Sequence, residues 1–153
     1  MAVIQSIPSR RDQLAIEPSI GQADRAGLRR GADLFDAGDF WQAHEAWEEV
    51  WQREQRPIRS FYQSLIQIAA GYHHWSVKHR PRGVQLGIEK GIEKLTWYLP
   101  GYLDVDAAAV IADSERMAAL ARGKDAQWLA QYPLANFPRF RWQNSRRQES
   151  NRV

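Results

Sequence analysis

Residues Phe40 to Trp51 read FWQAHEAWEEVW and place three tryptophans, a histidine and three glutamates within about three helical turns. At about 100° per residue, Phe40, Ala43, His44, Trp47, Val50 and Trp51 share one face, and Trp41, Glu45 and Glu48 lie beside it. A stripe this aromatic has to be covered by other helices. An imidazole therefore sits inside the apolar stripe, with Glu48 one turn further along. Titratable groups cost free energy to bury unless they are partnered. The arrangement is either a satisfied structural network or a site, and the residues alone leave both readings open.

Glycine and proline divide the rest of the chain into further helices. A first helix over Gln22 to Ala37 uses Leu28, Ala32 and Phe35 as its inner stripe and stops at Gly38, a natural residue just past a helix end. Asp39 opens the second helix, with Gln42 in capping-box spacing. The turn between them is short, so the pair is expected to form an antiparallel hairpin. Pro57 fits the first turn of a third helix running to about His79. Its apolar face collects Phe61, Leu65, Ile68, Ala69, Tyr72 and Trp75. The opposite line carries Gln63, Gln67, Ala70 and His74, while His73 lies on the flank with Tyr62 and Ile66. Amides and imidazoles recur where lysine and glutamate usually cover a solvated face, which predicts a central helix contacted on more than one side.

The break at His79-Arg80-Pro81 precedes a fourth helix, Arg82 to Leu99, in which Gly83, Gly87 and Gly91 recur every fourth residue. Each interior glycine costs about 1 kcal/mol relative to alanine, so this bare strip is expected to serve close approach, with packing against another helix favoured over a ligand or backbone lying in it. A fifth helix, Val105 to Arg122, ends at Gly123, and Trp128, Leu129 and Tyr132 add a short covering turn. No strand-like alternation and no repeat interrupts this pattern. The expected fold is an all-α compact bundle of about five helices arranged as antiparallel hairpins. Residues 1–21 read as a flexible lead-in, 22–132 as a single domain and 133–153 as a basic tail.

At 153 residues, with no cysteine, the chain is long enough to bury a core without disulfides and offers neither thiolate ligands nor a cysteine nucleophile. No run approaches the roughly 18 apolar residues of a membrane span, and the N-terminal stretch lacks a signal-peptide core. A soluble, cytoplasmic protein is expected. The formal net charge of +3 is local: five arginines against Glu149 give residues 139–153 a net +4, which leaves −1 for residues 1–138. Nucleic acid is accordingly not expected as the partner. A homodimer is compatible with the high aromatic content.

FDAGDFWQAHEAWEEVW (Phe35 to Trp51) followed by FYQSLIQIAAGYHHW (Phe61 to Trp75) resembles the paired signature of domain of unknown function 309, a family of small helical proteins. The family's first segment falls here on Phe35, Gly38, Phe40, His44, Glu45, Glu48 and Trp51. Its second falls on Tyr62, Gln63, Leu65, Ile66, Gln67, Ala69, Ala70 and His73. Ser64 stands where the family commonly has glycine, and Lys78 to Gly83 replace a Gly-Asn turn. The resemblance spans Ala26 to Leu99; it implies the all-helical fold and, by the family's own description, no assigned activity.

If the second and third helices oppose their signature faces, His44, Glu45, Glu48, Gln63, Gln67, His73 and His74 form a candidate polar site, surrounded by Phe40, Trp47, Trp51 and Tyr62. The favoured reading is a ligand- or protein-interaction module, with an unknown protein or small molecule as partner and no cofactor. The alternative is a metal-assisted or acid–base hydrolase using His44, Glu48 and His73, since imidazole and carboxylate suit zinc, iron or manganese. Against it, neither helix carries a Glu-x-x-His pair, and His44-Glu45 lacks the second histidine of His-Glu-x-x-His. No nucleophile motif accompanies the histidines.

Overall fold

The computed structural model describes residues 6–143. Seven α-helices follow one another: α1 (Arg10–Ile16), α2 (Gln22–Asp36), α3 (Phe40–Arg53), α4 (Arg59–His73), α5 (Pro81–Leu95), α6 (Ala107–Ala121) and α7 (Ala126–Gln131). Helices α2 to α6 correspond to the five long helices read from periodicity, and each packs against its successor. Pairs across the seams show that neighbours run antiparallel. Phe35 meets Phe40 near the α2–α3 turn, while Arg53 reaches Asp24 at the far end. Along α3 and α4, Trp41 meets His73 and Trp51 lies under Arg59.

Gly38 adopts φ 82° at the α2–α3 turn, a conformation that disfavours a side chain. Asp39 occupies the N-cap of α3, but its side chain accepts no capping hydrogen bond, so the expected capping box is not formed. Pro57 sits in the turn before α4, where its carbonyl accepts from Ser60 N at 3.2 Å. The third predicted helix is two pieces, α4 and a π-helical turn over His74–Lys78. His79 ends that turn at φ 54°, and Pro81 starts α5.

Helix α4 is the central element, buried on the faces of Phe61, Leu65, Ile68, Ala69 and Tyr72 and flanked by α3 and α5. The glycine strip explains how α5 approaches. A Cβ at Gly87 would come within 2.7 Å of Gly71 Cα and N, and one at Gly91 within 2.7 Å of the Ser64 carbonyl. Close helix contact, rather than a ligand, fills the strip. Ser64 is buried and donates its hydroxyl to the Phe61 carbonyl at 2.6 Å, so the room at this crossing comes from the α5 glycines.

Two segments depart from the sequence reading. Residues 10–19, expected to lie in a flexible lead-in, form α1 and a 3₁₀ turn over Glu17–Ser19. Ser9 Oγ caps α1 by accepting from Asp12 N at 3.1 Å. Gln13 is wholly buried and donates to the Trp97 carbonyl at 2.6 Å; Arg10 donates to the Gly101 carbonyl at 2.6 Å. Polar contacts more than 80 residues apart in sequence hold this helix, which is why no local period announced it. Residues 133–143, expected to begin a basic tail, instead form a strap that inserts Phe137 and Phe140 into the core. Asp36 accepts from Phe140 N at 2.6 Å and pairs with Arg139 at 3.4 Å, and Asp113 accepts from Arg141 Nε at 2.9 Å, so these two arginines are partly neutralised. The rest of the tail, with Arg146, Arg147 and Arg152, lies outside the described residues. No helix among the described residues is long and apolar enough to cross a membrane.

Candidate functional site

The signature residues divide into separate groups rather than converging. On α3, Trp41, His44 and Glu48 follow the i, i+3, i+7 spacing of one helix face. Trp41 is 42 % exposed and stacks on His44 with ring centroids 4.5 Å apart and planes 9° from parallel. Its ring also lies 5.0 Å from that of His73 at the end of α4. Trp41 therefore bridges the two histidines across the α3–α4 seam. Glu48 Oε2 stands 3.5 Å from His44 Nδ1, an ion-pair distance only when the imidazole is protonated and too long for a firm hydrogen bond. His44 Nδ1 is itself buried and has no hydrogen-bond partner.

On the other flank of α4, Gln67 accepts from Lys94 Nζ of α5 at 3.0 Å. His74 packs against Gly83, where a Cβ would come within 2.5 Å of the imidazole ring. Gln63 is half-buried between these flanks and Glu45 is exposed. The expected aromatic surround disperses as well. Phe40 and Trp47 belong to the core, where Phe40 meets Phe35, Tyr72 and Phe137. Trp51 lies under the Arg59 guanidinium, 4.0 Å from its ring centroid. Tyr62 is fully buried against Phe61. Trp41 and Lys94 are the residues that the candidate set lacked. The first was signalled by its three-residue spacing from His44; the second depends on which side of α4 the fourth predicted helix lands.

Burial sets the proton affinities. His44, His73 and His74 all titrate below the ordinary imidazole value of 6.5. For His44, desolvation outweighs the opposing pull of Glu48 and Glu45. For His73, desolvation is joined by His74, Lys78 and His44; for His74, by Arg80 and Lys78. The unfolded chain therefore takes up protons on these rings at higher pH than the folded chain does. This stability contribution is intact above 6.5 and is lost as the pH falls from there toward the folded values. Urea midpoints measured at about pH 7.5 and about pH 5.5 are expected to be lower in acid. The difference should shrink in a His44→Gln, His73→Gln, His74→Gln variant; an equal difference in that variant would assign the pH dependence to other groups.

Among the described residues, no group of three or more His, Asp or Glu side chains is arranged to hold a metal ion. Nor do the seam residues line the clefts beneath the strap, beside α2 or between α5 and α6.

The described residues form an antiparallel run of α-helices. Residues 28–86 match the family model described as Domain of unknown function (DUF309). No curated protein and no solved structure matches the chain.

Proposed function

We propose that the chain is a protein-interaction module whose contact surface is the α3–α4 seam centred on Trp41. The observation that carries this reading is the exposed Trp41 indole, 42 % accessible yet held against His44 and His73. Stacking of this kind restrains the indole before any partner arrives, so less side-chain freedom is lost on binding. Tryptophan at the centre of a patch, with polar groups at its rim, is the commonest form of a binding hot spot. Here the rim is Glu45, Glu48, His44 and His73. A surface of this shape suits a protein contact better than enclosure of a small substrate.

A photo-crosslinking residue substituted for Glu45 tests the proposal, because it identifies what contacts this seam. Affinity for the purified partner is then measured by calorimetry with the parent and with Trp41→Ala. The substitution is expected to weaken binding about 30-fold, the effect of about 2 kcal/mol. Its melting temperature should stay close to the parent's, since surface changes usually shift stability by about 0.5 kcal/mol or less. Equal affinity in both proteins would refute the seam as the contact.

One observation favours the alternative of an acid–base or metal-assisted hydrolase. His44 is held neutral by burial and has Glu48 3.5 Å away, an arrangement that can orient an imidazole as a general base. Elemental analysis of tag-free protein separates the readings. Near-stoichiometric metal, lost in a folded His44→Ala, Glu48→Ala variant, would replace the interaction reading with the metalloenzyme one.

A further inference from the structure

On the side of α2 away from the α3–α4 seam, about 340 Å³ of open space lies between that helix, the Tyr102–Val105 turn and Trp142. Clefts of about 300 to 1,000 Å³ hold small organic ligands. Arg25 and Arg29 face it from successive turns of α2, and Leu103 and Asp104 form the facing wall. The Arg29 guanidinium lies 4.6 Å from the Trp142 ring centroid and, among the described residues, makes no hydrogen bond or ion pair. Arg25 is pinned: its Nε donates to the Ile20 carbonyl at 2.9 Å and its Nη2 to the Glu17 carbonyl at 2.8 Å. Its Nη1 is left for another acceptor.

Every wall of this cleft is tied to another. Leu103 N donates to Glu17 Oε2 at 2.9 Å, Gln143 N donates to the Asp104 carbonyl at 2.7 Å, and Trp142 forms an antiparallel bridge with Val105. A site held in this way loses little freedom when it is filled. Guanidinium donors match the planar geometry of a carboxylate, and the half-buried Trp142 indole offers apolar surface beside them. The Asp104 carboxylate on the opposite wall works against a second negative charge.

We propose that this cleft binds a small organic monocarboxylate with a flat apolar body, its carboxylate held by Arg25 and Arg29 and its body along the Trp142 indole. The site is independent of the Trp41 seam. The test uses the full chain, titrated with benzoate, with its uncharged counterpart benzamide and with inorganic phosphate. Binding is read by NMR at the Arg29 Nε–H and Trp142 Nε1–H signals. Saturable benzoate shifts are expected at both positions, with weaker binding of phosphate and none of benzamide. Arg29→Gln should weaken benzoate binding by about tenfold. Arg29→Lys, which keeps the charge and loses the planar fork, should weaken it as well and serves if the glutamine variant is perturbed. Absence of saturable shifts, equal affinity in both variants, benzamide binding as tight as benzoate, or phosphate binding tighter than benzoate would each overturn the assignment.

Discussion

Trp47→Ala is expected to destabilise the protein by about 3–5 kcal/mol, a large part of the roughly 5–15 kcal/mol that holds a domain together. The indole is 1 % exposed and sits where α2, α3 and the strap meet. Its ring lies 6.2 Å from that of Phe35 and 5.6 Å from that of Phe140, and its Nε1 donates to the Leu28 carbonyl at 2.9 Å. Gly31 is bare beneath it: a Cβ there would run into the indole. Truncation therefore removes the largest side chain from a position that Gly31 has no side chain to refill, and the cavity term is not recovered by collapse. Urea denaturation of Trp47→Ala beside Trp41→Ala gives the comparison. Both changes delete an indole from α3, but only the first should move the midpoint strongly. Equal shifts would mean that Trp41 is a core residue and would remove the basis for the seam.

The contrast between these two tryptophans was legible in the sequence because helical phase is local. Phe40, Ala43, Trp47 and Val50 were placed on the inner stripe and are buried; Trp41 was placed beside it and is exposed. The helix ends at Gly38, Gly123 and Pro81 were legible for the same reason, since glycine at positive φ and proline at the first turn act through their own backbone. Helix α1 and the strap were not. Gln13, Arg10 and Asp36 hold them through partners about 80 to 100 residues away in sequence, and no window of residues contains both ends of such a contact.

The candidate site was legible only in part, for a related reason. Periodicity assigns His44 to a face of α3 and His73 to a flank of α4, but it does not set the rotation of one helix against the other. That rotation decides that Trp41, rather than a hydrogen bond, joins the two imidazoles. It also carries Gln67 to Lys94 on α5, away from His44. Tyr62 differs from His73 by eleven residues, close to three full turns. The two share a flank in phase, but not a neighbourhood, because they lie at opposite ends of α4.

Gly87→Ala is expected to destabilise by about 2–3 kcal/mol even though alanine gains about 1 kcal/mol in helix propensity. The added methyl would meet Gly71 Cα and N at 2.7 Å and the Gln67 carbonyl at 2.9 Å, all of them backbone atoms that no rotamer change can move. Relief requires α4 and α5 to separate, and theirs is the most extensive helix pairing in the fold. Separation would also loosen Val84, Ile88 and Leu95, which are buried on α5. Gly27→Ala is the matched comparison, because its methyl would meet the Val50 side chain at 2.6 Å, a group with some freedom to turn. Thermal unfolding should therefore rank Gly87→Ala well below Gly27→Ala. If both variants melt alike, the bare strip is not what sets the α4–α5 distance. A Gly71→Ala, Gly87→Ala double variant tests the same contact from both sides. A Cβ at Gly71 would meet Ile88 Cγ1 and N at 3.0 Å and the Val84 carbonyl at 3.2 Å, so both methyls push the same two helices apart; their costs should not add, and strict additivity would mean that they act independently.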